Sequence, residues 1–492
     1  MSSEGRTVVL SNRLPSREET DRIKPSCQRP HYLGLTQTLD SILRHGGGTW
    51  IGCSHTAEED AASRMARNWN KTSEYSIAPV LLGTNERTDH QRFSNTVLWP
   101  LLQGLTSLSR NAADCWSGYC RVNGRFAEAT RDIAGENDFV WVHDYPLMMV
   151  ASLLRANGWR HRIGYFHHVP FPPPAAFQAL PWRVELLHGL LQFDLIGFQR
   201  DEDRHNFAAC LQEFLPLSRP LEIDGRLAIR TLDRETRVAT YPVGIDFQTL
   251  SREASRTTIL AAAKGVVKCV RGAQVILGVG PLEPTTGICE SLNAFHHLLE
   301  RNPEMEGRLT MIQIAVPSNE RNLDRRTLEF QIETTVERIN LRFGTPDWKP
   351  VQYFHRRLTE AQMIAFYRSA NVALIAPWRD GISLAAKQFC ACRTDMQGVL
   401  VLSEFTGVAD ELREGALFVN PFDPDDVARG LQRALWMSVS EQEERMVTLR
   451  TRIRANSVFN WSQTFLADAD LLSPSPKIRQ TAPEAVRAQV RG

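Results

Sequence analysis

The feature that most constrains this chain is a repeated alternation. Short, unbroken apolar runs recur between longer amphipathic stretches. The runs are Thr7–Leu10, Phe139–Val142, Ile163–Phe166, Asp194–Gly197, Val275–Gly278, Leu309–Ala315, Val351–Phe354, Val372–Ala376, Gly398–Leu402 and Ala416–Val419. A strand that is apolar at consecutive positions must be covered on both faces, as in a parallel sheet flanked by helices. Stretches such as Glu202–Leu215 and Ile288–Glu300 supply the helices. The pattern predicts doubly wound α/β units. The runs fall into two sets, one before about residue 245 and one after about residue 270. The expected fold is therefore α/β, with two Rossmann-like doubly wound domains facing each other across a cleft. Sheets of this kind bind ligands at the carboxyl ends of their strands.

A chain of 492 residues buries several cores without a disulfide or metal staple. Its net charge of +1 leaves no general field for nucleic acid or anionic lipid, so an anionic ligand must be held by local groups. Nine cysteines are scattered without a C-x-x-C pair, which suits reduced thiols. Cys390 and Cys392, two apart on a predicted helix, point to different faces and suit zinc poorly. No metal site and no cofactor is predicted. No apolar run approaches the ~20 residues needed to cross a bilayer. The start, MSSEGRTVVLSNR, has no apolar signal core. The expectation is a cytoplasmic protein with no membrane or nucleic-acid partner. A polar loop is expected over Ser16–Pro30 and a disordered tail over residues 473–492.

Four clusters follow predicted strands, where such a cleft would be lined. Arg13, after Thr7–Leu10, is either a solvated strand-end arginine or a planar fork for phosphate. Asp144, after Phe139–Val142, either caps a helix over Leu147–Arg155 or grips sugar hydroxyls. His167 and His168, after Ile163–Phe166, point to opposite faces, so one packs while the other can meet a ligand. Arg379-Asp380-Gly381-Ile382-Ser383-Leu384 follows Val372–Ala376 and opens a helix. It is either a capped turn or a helix start whose free N–H groups take an oxygen-rich ligand. The run Gly46-Gly47-Gly48-Thr49-Trp50-Ile51-Gly52 lacks the spacing of a dinucleotide or Walker motif and reads as a turn into a strand.

Taken together, the segments VVLSNRLP, GGTWIG, FSNTVLWP, VWVHDYPL, IGYFHHVPFPPP, DLIGFQRDEDRHNF, YPVGID, RDGISLAAKQ and GVLVLSEFTGVADEL resemble the trehalose-6-phosphate synthase family. This is glycosyltransferase family 20, of the GT-B fold. The resemblance runs in order from residue 7 to about residue 465. It implies a retaining transferase that moves glucose from UDP-glucose to glucose 6-phosphate without a metal, and it is compatible with a homo-oligomer. It implies acceptor contacts at Arg13, Trp99 and Asp144. His168 and Asp380 would lie beside the reacting sugar. Gly34, Gly381, Ile382, Ser383, Leu384 and Gln388 would lie on the donor side. Trp461 would sit on a last helix, residues 456–472, that returns to a first domain of residues 1–247 from a second of residues 248–455.

The chain also departs from that pattern. Where the family carries R-L-D-Y-S-K-G, this sequence reads Pro281-Leu282-Glu283-Pro284-Thr285-Thr286-Gly287. The two cations that would face the leaving diphosphate are thus Pro281 and Thr286. An acceptor-phosphate arginine falls at Asn319, a ribose-binding glutamate at Gln388, a loop tyrosine at His90 and a donor-loop glycine at Leu33. One lost preorganised stabiliser of developing charge typically costs about 3–4 kcal/mol. Arg271, Arg321, Arg325 and Lys387 are the basic residues considered as substitutes. Three readings follow: a synthase with substitute cations, a related transferase with another donor or acceptor, and a non-catalytic sugar-phosphate binder.

Overall fold

The computed structural model describes residues 5–15, 35–54, 58–106, 113–223, 226–232, 234–317 and 323–471. The Ser16–Pro30 loop and the 473–492 tail expected from sequence fall outside these. Within them, no helix is long and apolar enough to cross a membrane.

The chain divides into two compact units. Leu39–Pro242, with the N-terminal strand and the residues from Trp461 onward, forms one; Val243–Asn460, with the start of the helix Leu35–Gly46, forms the other.

The first unit is built on nine strands: β1 (Thr7–Arg13), β2 (Thr49–Cys53), β3 (Ser76–Val80), β4 (Phe139–His143), β5 (Ile163–His167), β6 (Leu195–Phe198), β7 (Arg219–Ile223), β8 (Arg226–Arg230) and β9 (Glu235–Thr240). Their order is β3-β2-β1-β4-β5-β6-β9-β8-β7. All pairings are parallel except those within the β7-β8-β9 extension. The continuous apolar runs become the middle of this sheet. Every residue of β4 and β5 is buried, because helices cover both faces. The chain order reverses between β1 and β4, so the crevice at a switch point opens at their carboxyl ends.

The second unit carries β10 (Gln274–Pro281), β11 (Leu309–Val316), β12 (Val351–His355), β13 (Val372–Ile375), β14 (Val399–Ser403) and β15 (Leu417–Val419). Their order is β12-β11-β10-β13-β14-β15 and every pairing is parallel. Its switch point lies between β10 and β13.

The helix Val458–Asp470 packs on the first sheet through Phe465. This ring is fully buried and stacks on Trp141 at 4.6 Å between centroids. Gly164 on β5 and Gly197 on β6 leave the space it fills: a Cβ at either would come within 2.8 or 2.9 Å of the ring. Tyr241 donates to Asp468 at 2.8 Å and pins the same helix further along. Truncating Phe465→Ala should cost about 3–5 kcal/mol of unfolding free energy. Urea denaturation reads this, and a loss below about 1 kcal/mol would contradict the anchoring role.

Candidate functional site

In the first unit the chemistry collects at the carboxyl ends of β1, β4 and β5. Arg13 closes β1 just after a register shift against β2, between Ser11 and Arg13. Such a bulge re-aims the side chain that follows it. The glycine-rich run serves this strand. Gly48 has φ +120° and faces the Thr7 carbonyl so closely that a Cβ would lie 2.4 Å from it. Gly52 lies against Arg13 and Leu14, at 3.0 Å by the same measure.

Asp144 follows β4 with φ 74° and ψ 166°. That region is essentially reserved for glycine and costs on the order of 1–3 kcal/mol. Its N–H donates to the Phe166 carbonyl at 2.8 Å, and its Oδ1 accepts the His168 N–H at 3.2 Å. Burial pushes its pKa up to about 6, against the pull of the backbone N–H groups of His168, Tyr145 and Val169. The capping alternative fails. In place of a helix over Leu147–Arg155 there is a 3-10 turn, Tyr145–Leu147, then a helix Val150–Ala156, and the carboxylate caps neither.

His167 and His168 sit in different surroundings. His167 meets the Tyr165 hydroxyl at 3.0 Å, beside Phe171 and Phe198. His168 lies against Phe166 and Trp461, its Nε2 3.0 Å from Nδ1 of His143. Burial lowers the pKa of His143 to about 3 and that of His168 well below the ordinary value, so both rings are neutral. Trp99, half-buried, starts a short helix directly after the π-helical turn Phe93–Leu98. His90 turns inward, where its Nε2 meets the Pro146 carbonyl at 3.0 Å and its ring stacks on Tyr119. It is a core residue, with its pKa lowered to about 4 by burial.

In the second unit the switch point brings the end of β10 beside the loop after β13. The Trp378 N–H donates to the Thr285 carbonyl at 2.8 Å. Gly287, at φ 70°, lies so near the Ala376 carbonyl that a Cβ would stand 2.5 Å from it. The segment Pro281–Gly287 spends its donors on itself and its neighbour. Thr286 Oγ1 donates to the Pro281 carbonyl at 2.8 Å. The N–H groups of Glu283, Thr286 and Gly287 go to carbonyls within the segment, and that of Leu282 goes to Val316. Pro281 and Pro284 have none.

Asp380 is held by its own loop. Oδ1 accepts the Ile382 N–H at 3.0 Å and Oδ2 accepts the Ser383 hydroxyl. Ser383 in turn accepts from Thr406 at 2.7 Å. Burial raises the pKa of Asp380, opposed by Ser383 and by the N–H groups of Ile382 and Gly381. Gly407 is required here, since a Cβ would fall 1.7 Å from the Gly381 carbonyl. Leu384 opens the helix Leu384–Cys392, where the Leu384 N–H goes to the Ile382 carbonyl at 3.1 Å and the Ala386 N–H to the Ser383 carbonyl at 3.2 Å.

Two of the substitute cations are excluded by position. Lys387 is fully buried, and its ammonium is committed to Glu411 and the Val243 carbonyl. Arg271 pairs with Asp347 in the turn before β10, roughly 25 Å of strand from Pro281. Arg325 belongs to the helix Leu323–Phe343. Arg321, Asn319, Leu33 and Gly34 lie outside the described residues. Gln388 is buried with both amide ends engaged: Oε1 accepts from Tyr367 at 3.0 Å and Nε2 donates to Gln37 at 2.8 Å. Sequence reasoning missed Thr406 and Gln37. Thr406 lies in a matched segment, but nothing local marks Gln37, whose partner is 351 residues away. Among the described residues, no group of three His, Cys, Asp or Glu side chains is placed to hold a metal ion.

A family model described as glycosyltransferase family 20 matches residues 5–470. The chain is 34% identical over 492 residues to a trehalose-6-phosphate synthase of Enterobacter sp. (strain 638), covering 99% of this chain and 98% of that one. It is 36% identical over 472 residues to that of Mycobacterium avium (strain 104), covering 93% and 94%. Among solved structures it is similar to an α,α-trehalose-phosphate synthase (UDP-forming) from Burkholderia xenovorans in complex with glucose-6-phosphate. The TM-score is 0.86 at 30% identity, over 95% of this chain and 100% of that one. An E. coli structure bound with UDP-2-fluoro glucose gives 0.84 at 32% identity, over 96% and 100%. Fold and comparisons place the chain among the GT-B glycosyltransferases. It belongs to glycosyltransferase family 20, the family of the trehalose-6-phosphate synthases.

Asp144 holds its proton more tightly in the folded chain than in the unfolded one. Its stabilising contribution is complete below about pH 4 and is lost as pH rises through about 6. Asp144→Asn has no such proton to lose. Its stability relative to the parent should therefore rise from about pH 4 to about pH 7 in urea denaturation. A relative stability that falls over that interval would contradict the assignment.

Proposed function

We propose that the chain transfers glucose from UDP-glucose to glucose 6-phosphate with retention, releasing UDP and α,α-trehalose 6-phosphate. The observation that carries this is the pair of acids, Asp144 and Asp380, one at each switch point, within a match along nearly the whole chain. In this reading the first unit takes the acceptor. Arg13 offers its guanidinium fork to the phosphate, Trp99 lines the same pocket, and Asp144 accepts from sugar hydroxyls. The strain and raised pKa of Asp144 are costs that a purely structural carboxylate would not need.

The second unit takes the donor. Asp380 accepts from the glucose hydroxyls, held in place by Ser383 and the Ile382 N–H. Gly381, Ile382, Ser383 and Leu384 bring the helix start to the diphosphate. Gln388 reaches the ribose only through the second lone pair of its engaged Oε1. Gly34 completes this side as an expectation from sequence alone. His168 lies beside the reacting sugar. As the sugar–phosphate bond breaks, the sugar gains positive character and the diphosphate gains negative charge. At the helix start the N–H groups of Leu384 and Ala386 are already spent on the Ile382 and Ser383 carbonyls, and the Pro281–Gly287 segment adds neither a cation nor more than one backbone donor. This favours a second reading, a sugar-phosphate binder with little or no turnover.

Incubation with UDP-glucose and glucose 6-phosphate, read as UDP and trehalose 6-phosphate, separates the two. Turnover abolished by Asp380→Ala supports the synthase; ligand binding without turnover supports the binder. Restoring charge with the pair Pro281→Arg and Thr286→Lys should raise kcat, by up to roughly a hundred- to thousandfold if diphosphate charge limits the step. An unchanged rate would mean that the charge is already met by another group.

A further inference from the structure

We propose that Arg87 is the second cation of the acceptor-phosphate pocket and closes, opposite Arg13, on the phosphate of a sugar 6-phosphate. This rests on the reading that the first unit takes the acceptor.

The path of one helix places Arg87. The chain leaves β3 at Val80 and forms the helix Thr84–Arg92. Near the end of that helix, His90 Nε2 meets the carbonyl of Pro146, beyond the end of β4, at 3.0 Å. With the strands in the order β3-β2-β1-β4, the helix crosses the carboxyl ends of β2 and β1 on the way. It rises about 1.5 Å per residue, so Arg87 stands roughly 4.5 Å short of His90. That is about one strand spacing, ~4.8 Å, and it brings Arg87 back to the end of β1, where Arg13 sits. The side chain's direction follows from its neighbours. Glu86 faces Arg125 at 3.5 Å, Asp89 faces Arg121 at 3.6 Å and Arg92 faces Asp114 at 3.0 Å. All three partners belong to the helix Ala113–Ile133. At about 100° per residue, Arg87 lies nearly opposite that row. It is half-buried and turned away from the outer helix.

The charge at the strand ends agrees with this placement. Cys53 ends β2 and pairs in register with Arg13. Burial pushes its thiol up to about 12, and the charges that oppose burial are Arg87 and Arg13. No carboxylate among the described residues joins them. Two guanidinium groups thus act on one buried sulfur, and the corner between β1, β2 and the helix is positive. A phosphate monoester carries about −1.5 to −2 charges near pH 7 and three acceptor oxygens. One guanidinium compensates roughly half of that charge. Two forks compensate it and engage the oxygens through paired N–H bonds. Asp144 lies past the end of the neighbouring strand β4, so the phosphate end of the ligand and its sugar hydroxyls fall to adjacent strand ends. Arg87 in this arrangement is a binding residue, remote from the bond that breaks.

The test is calorimetric titration of the full chain with glucose 6-phosphate and, separately, with inorganic phosphate. Arg87→Ala should weaken both about ten- to hundredfold, the effect of a lost charge-assisted contact. Arg87→Lys keeps the charge without the fork and should recover part of the loss. Arg92→Ala, on the same helix but paired with Asp114, should leave both affinities within about twofold. In turnover, Arg87→Ala should raise KM for glucose 6-phosphate and leave kcat within about threefold. An Arg87→Ala protein that binds both ligands like the parent would overturn the proposal and leave the acceptor reading standing. An equal loss in Arg92→Ala would also overturn it, since any cation on the helix would then serve. Should Arg87→Ala fail to fold, Arg87→Gln carries the same expectation. Phosphate binding that depends on Arg87, without binding of glucose 6-phosphate, would uphold the pocket and count only against the acceptor reading. A parent that binds neither ligand would overturn both.

Discussion

A parallel strand covered on both faces has no place for charge except at its ends. This constraint organises both units. The strand interiors, such as Val140–Val142 and Leu400–Leu402, are fully buried and carry only apolar side chains. Polar chemistry is displaced to the strand ends and the residues that follow: Arg13 at the end of β1, Asp144 after β4, His168 after β5 and Asp380 after β13. The reversal of strand order then selects which ends open into a crevice. In the first unit Arg13, Asp144 and His168, spread over about 155 positions, come to the same sheet end for that topological reason, and not because any local motif collects them.

The same constraint explains how much was legible in the sequence. All ten continuous apolar runs become strands of the two sheets, with ends shifted by a few residues at most. The strands that escaped are those without such a run. β3 contains Pro79 and sits at a sheet edge, where a missing N–H does no harm. β9 alternates between partly and fully buried residues, and it joins the antiparallel extension with one polar side. The side chains at the strand ends were equally readable, because strand ends can be placed from strand cores. Their states were not. Nothing in the segment HDYPL reveals that Asp144 adopts a glycine-only conformation. Nor does the sequence show that Lys387 is spent on Glu411, since whether a helical lysine faces solvent or a carboxylate depends on tertiary packing.

The two acids illustrate different ways of holding a buried carboxylate. Asp380 is tied by neighbours in its own loop, and the hydroxyl chain from Thr406 through Ser383 orients it from the adjacent strand's exit. Asp144 is tied across strands, by the His168 N–H at the end of β5, with its own N–H on Phe166. The first arrangement is local and unstrained. The second forces a φ of 74° on a residue with a Cβ, which persists only because β4 and β5 over-determine it.

The segment Pro281–Gly287 also spends nearly all of its own donors. A phosphate-binding loop works by leaving N–H groups and cations unspent until the ligand arrives. Between Pro281 and Gly287 the opposite has happened. Two positions lack an N–H, four spend theirs on carbonyls, and the Thr286 hydroxyl folds back onto Pro281. The segment is therefore satisfied without an anion, and Pro281 and Thr286 belong to one internally bonded structure. The helix start at Leu384 shows the same economy, with the N–H groups of Leu384 and Ala386 spent on the Ile382 and Ser383 carbonyls. The nearby cations are spent in the same way: Lys387, within the helix that Leu384 opens, on Glu411, and Arg271, before the start of β10, on Asp347.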